Sequence, residues 1–304
     1  MADSALQVRN LVKRYGALTA VAGVSFDVAR GEIFGILGPN GAGKTTTLEM
    51  IEGLRRPDEG TAVVDGVDVR ADPRGVRARI GVQLQEAGFF ERLTVEETLT
   101  LFGAFHRRAA PVGRIIERMQ LVEKRTAWAG TLSGGQRQRL SIAIALVNDP
   151  RIMFLDEPTT GLDPQARRNL WDVIAEFRGE GRTVVLTTHY MEEAQRLCDR
   201  VAIMDHGRIV ALDTPRALIR EHTPGTSVAV AITSGDAVLA ALPGVRHIQR
   251  EDGEVLLSTT EPIQTVHALM DLNRRGTLHF QRLRVEEATL EDVFLHLTGR
   301  RLRE

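Results

Sequence analysis

The sequence predicts an α/β protein with an inserted helical subdomain and a small α+β unit at its C-terminal end. Three observations carry that expectation. The apolar run Ile33–Leu37 feeds a glycine-rich loop and then a stretch of helical spacing, the strand, loop and helix order of an α/β core. Two later apolar runs, Arg151–Leu155 and Thr183–Thr188, end abruptly in polar residues, as strands do where their carboxyl ends reach a site. Beyond about Pro224 the order strand, helix, strand, strand, helix, strand describes a compact βαββαβ unit.

The loop is Gly38-Pro39-Asn40-Gly41-Ala42-Gly43-Lys44-Thr45-Thr46, a G-x-x-x-x-G-K-T pattern. Glycines at 38, 41 and 43 allow positive φ angles and bring backbone N–H groups close to phosphate oxygens. Lys44 supplies a mobile point charge for β and γ phosphates, and the Thr45 hydroxyl is a hard oxygen ligand suited to Mg²⁺. Leu48, Ile51 and Leu54 share one side of the following helix, whose N-terminus favours anions. The stretch points to a nucleoside triphosphate without naming the base.

The other elements follow in order. Leu6–Asn10 alternates and reads as an edge strand, and Val21–Val28 as a strand pair entered through Tyr15. Tyr15 is either a half-buried strand aromatic or a ring against which adenine stacks; spacing alone favours the first. A Pro/Gly/Asp turn and a hairpin at Asp65-Gly66 come next, then a strand over 79–85 that ends in Gln85. Phe89 and Phe90 are equally a docking surface or the cap of a small helical core. Thr94 with Glu97 reads as a capping box, and the chain is expected to be helical from there to about Trp128, broken at Pro111-Val112-Gly113.

Ser133-Gly134-Gly135-Gln136 stands at the mouth of a helix, a second set of N–H groups and a hydroxyl suited to an anion. Asp156 and Glu157 close a buried-type strand at its carboxyl end. Asp156 suits a magnesium contact, and Glu157 suits orienting or deprotonating an attacking water. His189 ends a further strand in the same way.

Composition bounds the rest. With 304 residues, 39 Lys+Arg and 40 Asp+Glu, the net charge of -1 is not the footprint of a nucleic-acid binder. Cys198 is the single cysteine, which excludes an intrachain disulfide and a Cys-clustered zinc site and fits a reducing compartment. The N-terminus lacks the basic-then-apolar profile of a leader, and no apolar run reaches the roughly 18 to 20 residues that span a bilayer. A membrane role would need its spans from another chain.

Over roughly Leu6 to Arg220 these motifs resemble, in order, the ATP-binding subunit of an ABC (ATP-binding cassette) transporter. Gly38–Thr45 resembles Walker A, Gln85 the Q-loop, Leu132–Gln136 the LSGGQ signature, Ile152–Glu157 Walker B with its catalytic glutamate, Gly161-Leu162-Asp163 the D-loop and His189 the switch histidine. The resemblance implies a P-loop NTPase cassette over residues 1–222, with the helical subdomain at about 88–130 and an accessory domain over 223–304. It implies ATP and Mg²⁺ as ligands, Tyr15 stacked on adenine, and Gln85 sensing the metal and γ-phosphate and coupling to a membrane chain. Ser133 to Gln136 would complete the site of a second copy, making a nucleotide-sandwich dimer. The partners implied are that second copy and an integral-membrane permease, with no nucleic acid, at the cytoplasmic face of the membrane. The closing Thr289–Phe294 resembles the tail of the drug and antibiotic-resistance branch, which pairs with a permease of the ABC-2 type. Export of drug-like or hydrophobic compounds is therefore expected. The alternatives are a soluble ABC ATPase acting on ribosomes or DNA, or an exporter of lipid, polysaccharide or sodium. Arg300, Arg301 and Arg303 suit anionic lipid, or a solvated terminus.

Overall fold

The computed structural model describes residues 4–84, 88–223, 226–232, 236–251, 254–280 and 282–299. They form two compact units that divide between Pro215 and Arg216. In chain order the first unit comprises β1 (Ser4–Tyr15), β2 (Leu18–Ala29), β3 (Ile33–Leu37), α1 (Lys44–Ile51), β4 (Glu59–Val64), β5 (Val67–Asp68), α2 (Pro73–Arg77), β6 (Ile80–Gln83), α3 (Val95–Gly103), α4 (Val112–Arg118) and α5 (Gly134–Ala145). It continues with β7 (Ile152–Asp156), α6 (Pro164–Gly179), β8 (Thr183–Thr188), α7 (Met191–Leu197), β9 (Arg200–Asp205) and β10 (Arg208–Asp213), after which α8 (Pro215–His222) begins.

Its central sheet has the order β10-β9-β3-β8-β7-β6, parallel except for β10. Every residue of β3, β7 and β8 is buried, which is why these strands read as unbroken apolar runs rather than alternating ones. The register sets Leu37 beside Thr188, Asp156 beside Thr187 and Gln83 beside Leu155. The carboxyl ends of four neighbouring strands, β3, β8, β7 and β6, therefore open on one side of the sheet, and the phosphate-loop sequence leaves from the first of them. Across the core, Phe26 of the second sheet stacks on Phe34 of β3 at 4.9 Å, in a cluster that also takes in Leu48, Met50 and Ile51 of α1. Cys198 is buried against β3, where a Cβ on Gly35 would meet its sulfur at 2.7 Å.

Three local expectations change. Leu6–Asn10 is not an edge strand: β1 runs unbroken to Tyr15 and lies between β2 and β4. Register shifts and a left-handed Asn10 (φ 49) break the alternation that sequence reading relies on. The strand expected over 79–85 stops at Gln83, and Gln85 lies outside the described residues. Helix does not continue to Trp128; beyond Arg118 the chain uses a left-handed Gln120 and single 3₁₀ turns at Val122–Lys124 and Ala129–Thr131. The Thr94/Glu97 capping box is present, and α4 starts directly after Pro111.

The second unit holds β11 (Thr226–Val230), α9 (Asp236–Ala240), β12 (Val245–Glu251), β13 (Glu254–Thr259), α10 (Pro262–Arg274), β14 (Leu283–Glu287) and α11 (Leu290–Thr298). Its antiparallel sheet, ordered β12-β13-β11-β14, packs Val228, Val230, Val255 and Leu257 against Leu239 and Leu269. The last strand begins at Leu283 rather than Thr277, because Gly276 (φ 72) ends α10 and Leu278 is used to fill the core. Arg300, Arg301 and Arg303 lie outside the described residues.

Candidate functional site

The loop after β3 owes its shape to two different demands on glycine. At Gly38 the demand is space, since a Cβ would sit 2.4 Å from the Met204 carbonyl oxygen. At Gly43 it is both space and φ: the backbone is left-handed (φ 97), and a Cβ would sit 2.4 Å from the Ala20 oxygen. Gly43 caps α1, whose first residue is Lys44. Replacing Gly43 with Ala should therefore abolish nucleotide binding at the loop, read by titration of a fluorescent ATP analogue. Replacing Gly179, at the far end of α6, whose Cβ would meet nothing within 4 Å, should leave that binding unchanged.

The Lys44 ammonium is buried and donates to Gly38 O at 2.9 Å and Pro39 O at 3.2 Å. It also forms an ion pair with Glu157 Oε1 at 3.2 Å. The Thr45 hydroxyl donates to Asp156 Oδ1 at 3.3 Å, and the Thr187 hydroxyl makes a shorter bond to the same oxygen. Ala42 is buried under the loop, with its N–H bonded to Pro39 O at 3.1 Å. A cavity of about 410 Å³ brings together Tyr15, Asn40, Gly41, Lys44, Thr46 and Glu157. Tyr15 is 41% exposed on its wall, with the Arg55 guanidinium 5.3 Å from its ring. A larger cavity, about 1010 Å³, is lined by Arg79, Arg151 and Arg182 and shares no residue with the loop; size alone would have pointed to the wrong place.

Glu157 is held by its backbone as much as by its side chain. Its φ of 48 turns the chain off β7, and its N–H donates to the Thr187 hydroxyl at 2.9 Å. Its Oε2 lies 3.1 Å from His189 Nδ1 and accepts from the Thr160 hydroxyl at 3.1 Å. The His189 hydrogen bond and then the Lys44 charge hold its carboxyl at about 2, against the effect of burial. Burial instead pushes Asp156 up, opposed by its bonds from Thr187 and Thr45.

Lys44, Thr45, Asp156, Glu157 and His189 thus converge, and Tyr15 joins them through the cavity. Ser133, Gly134, Gly135 and Gln136 stand elsewhere, at the N-terminus of α5, and are absent from the cavity wall. There the Ser133 hydroxyl accepts from Gln136 N at 3.3 Å while Ser133 N donates to Gln136 Oε1 at 3.0 Å, a capping box. The adjacent phenylalanines part company: Phe90 is 61% exposed and Phe89 only partly so.

Among the buried polar residues that escaped sequence reading, Gln83 and Glu52 stand near the site. Gln83 donates to Leu84 O at 2.7 Å and to Asp156 O at 3.4 Å. Glu52, at the end of α1, is buried, and its Oε1 has no partner among the described residues. A polar residue inside an apolar strand was the available signal for Gln83; at Glu52 a helix-end glutamate looks like any solvated one.

The loop accepts a phosphate on steric grounds, having no Cβ where the backbone must close and a lysine and a hydroxyl at its mouth. Residues 21–160 match the family model described as ABC transporter. The chain is 41% identical over 311 residues to the Nod factor export ATP-binding protein I of Paraburkholderia xenovorans, covering 100% of both chains. It is 42% identical over 308 residues to the protein of the same name in Rhizobium meliloti, covering 99% of this chain and 90% of that one. Among solved structures it resembles cbiO1 from Clostridium perfringens, part of the ABC transporter complex cbiONQ, with a TM-score of 0.65, 29% identity, and 72% of this chain and 92% of that chain covered. It also resembles a dimeric post-hydrolysis ATP-binding cassette bound to ADP and Pi, with a TM-score of 0.63, 27% identity, and 69% and 98% covered. A phosphate loop facing a buried Asp–Glu pair on an α/β cassette, with likeness along the whole chain, leads to one conclusion: this chain belongs to the ABC transporter family and is its ATP-binding, ATP-hydrolysing subunit.

Proposed function

We propose that the chain powers an exporter, working as a head-to-tail dimer at the cytoplasmic face of a membrane beneath a separate permease. The observation that carries the reading is the full-length likeness to relatives named for Nod factor export. Among the described residues no helix is long and apolar enough to cross a membrane, so the permease supplies the spans. The finer reading, efflux of drug-like or hydrophobic compounds through an ABC-2 type permease, rests on the closing Thr289–Phe294 alone; the relatives' names concern another cargo.

In this reading Gly38 to Thr46 cradle the β and γ phosphates and Tyr15 faces the adenine. Lys44 exchanges its carbonyl and carboxylate partners for phosphate oxygens. Among the described residues no three His, Cys, Asp or Glu side chains cluster around one metal position, which fits Mg²⁺, an ion held by one or two protein oxygens plus phosphate. Thr45 and Asp156 would hold it, while Gln85, expected as a third ligand, lies outside the described residues; bound there, such an ion would supply charge to offset that on the phosphate oxygens. Glu157 and His189 orient the attacking water. As Lys44 turns to phosphate, Glu157 loses a cation and its proton affinity rises, which suits it better to accept a proton. Ser133 to Gln136 meet the γ-phosphate bound by the other copy, so ATP closes the pair and hydrolysis lets it reopen.

The helical subdomain presents exposed aromatics at Phe90, Phe105 (73%) and Trp128 (57%), a surface suited to the permease. Tagged full-length protein drawn from detergent-solubilised host membranes with ATP should bring down a multi-span protein. The Phe90→Ser, Trp128→Ser double variant should lose it while keeping ATPase activity within about twofold. Ribosomes or DNA in place of a membrane chain would replace the exporter reading with the soluble-ATPase one.

A further inference from the structure

Glu193 is a fully buried carboxyl group that the site as described does not use. It lies in the first turn of α7, just after His189 and Tyr190. Its Oε1 accepts hydrogen bonds from the Thr159 hydroxyl and the Trp171 indole N–H, both at 2.9 Å. Thr159 belongs to the turn leaving β7, where the Thr160 hydroxyl bonds the Glu157 carboxylate and Leu162 N bonds Thr159 O at 3.2 Å. Trp171 belongs to α6, which that turn enters through Asp163 as N-cap. One oxygen therefore joins three pieces of chain: the turn that carries Glu157, the helix that follows it, and the helix that follows His189.

A carboxyl is an expensive way to fill a core. An apolar side chain of similar volume avoids the desolvation penalty, which here pushes the Glu193 carboxyl up against the opposing bonds from Thr159 and Trp171 and the charge of Arg167. What an apolar residue cannot do is accept two directed hydrogen bonds from separate elements. Arg167, on the same helix as Trp171, also stacks 3.9 Å from the Tyr190 ring, a second tie between these elements.

We propose that Glu193 is a positioning residue for ATP hydrolysis, a brace that holds the turn carrying Glu157 against the turn carrying His189. The proposal rests on the roles of Glu157 and His189 given above. A displacement of about 1 Å at reacting groups is enough to slow a reaction by about 100-fold, so the brace matters without touching substrate.

The test is steady-state ATPase kinetics with the full chain, together with ATP-analogue affinity and thermal midpoint. Thr159→Val removes one donor while keeping shape, and should lower kcat by about 10- to 100-fold with KM and analogue affinity unchanged. Glu193→Ala should do the same or more. Glu193→Gln, which keeps a carbonyl oxygen for both donors, should restore kcat to within about threefold of wild type. In a Glu157→Gln background, Thr159→Val should add no further loss, because the group being positioned is gone. Full kcat in Thr159→Val with only a lowered thermal midpoint overturns the proposal, as does an undiminished effect in the Glu157→Gln background. Wild-type turnover in Glu157→Gln alone overturns the underlying reading, and this proposal with it.

Discussion

Glu157→Gln is expected to slow ATP turnover by about 10²- to 10⁴-fold, the range a positioned proton acceptor contributes, and at the same time to tighten ATP binding. Both effects follow from one contact. The side chains of Lys44 and Glu157 are only 5% and 6% exposed, and their ion pair at 3.2 Å must be broken before the ammonium can serve a phosphate. Glutamine removes that competitor. It also leaves the buried Lys44 charge facing only neutral oxygens, the new amide and the Gly38 and Pro39 carbonyls, so the protein without nucleotide should lose up to about 3–5 kcal/mol of stability, the usual result of removing one charge of a buried pair. ATP supplies replacement charge. Thermal midpoints measured with and without ATP should therefore differ far more in Glu157→Gln than in wild type, and an equal ATP shift in both would contradict the competition.

Glu52→Gln should stabilise the protein progressively as pH rises. Burial, and then the charges of Asp156 and Glu49, raise the Glu52 carboxyl from its ordinary 4.5 to about 8. A group whose folded pKa is raised contributes its full share of stability below the unfolded value and loses it as pH climbs through the folded one. Wild type thus gives up stability between about pH 4.5 and 8, on the order of 1.4 kcal/mol per pH unit and about 3 kcal/mol by neutrality. The neutral amide does not titrate and avoids that loss. Urea midpoints of the two proteins should coincide near pH 4.5 and separate up to about pH 8, then run parallel. A constant difference at all pH values would mean that shape, not charge, distinguishes them.

How far the sequence could be read depended on whether a residue's role is local. The phosphate loop is legible because its constraints, two glycines against backbone oxygens and a lysine at a helix start, sit within a few residues of each other. Asp156, Glu157 and His189 were legible for a related reason: each ends a fully buried parallel strand, and such strands announce themselves as apolar runs. The bulged β1 was misread because its shifts exchange which side chains face the core, and alternation is the only signal a strand of that kind offers. Glu193 bonds partners far away in the chain and Glu52 is buried by packing alone, so nothing adjacent marks either of them, whereas Gln83 is betrayed only by the apolar strand around it. The aromatic Phe89–Phe90 pair could be split only by seeing which ring the turn leaves outside.

The packing of Cys198 against Gly35 has a practical side. Burial, with neighbouring carboxylates, pushes its thiol well above the ordinary range, so at neutral pH it is both hidden and un-ionised. With no other cysteine in the chain, the natural protein already serves as a silent background for thiol-directed dyes and spin labels. A cysteine introduced at an exposed position such as Arg137, just beyond the Ser133–Gln136 stretch, can be labelled alone. Distances between two such probes, one per copy, would follow the opening and closing of the dimer through each cycle of ATP without any residue having first to be removed.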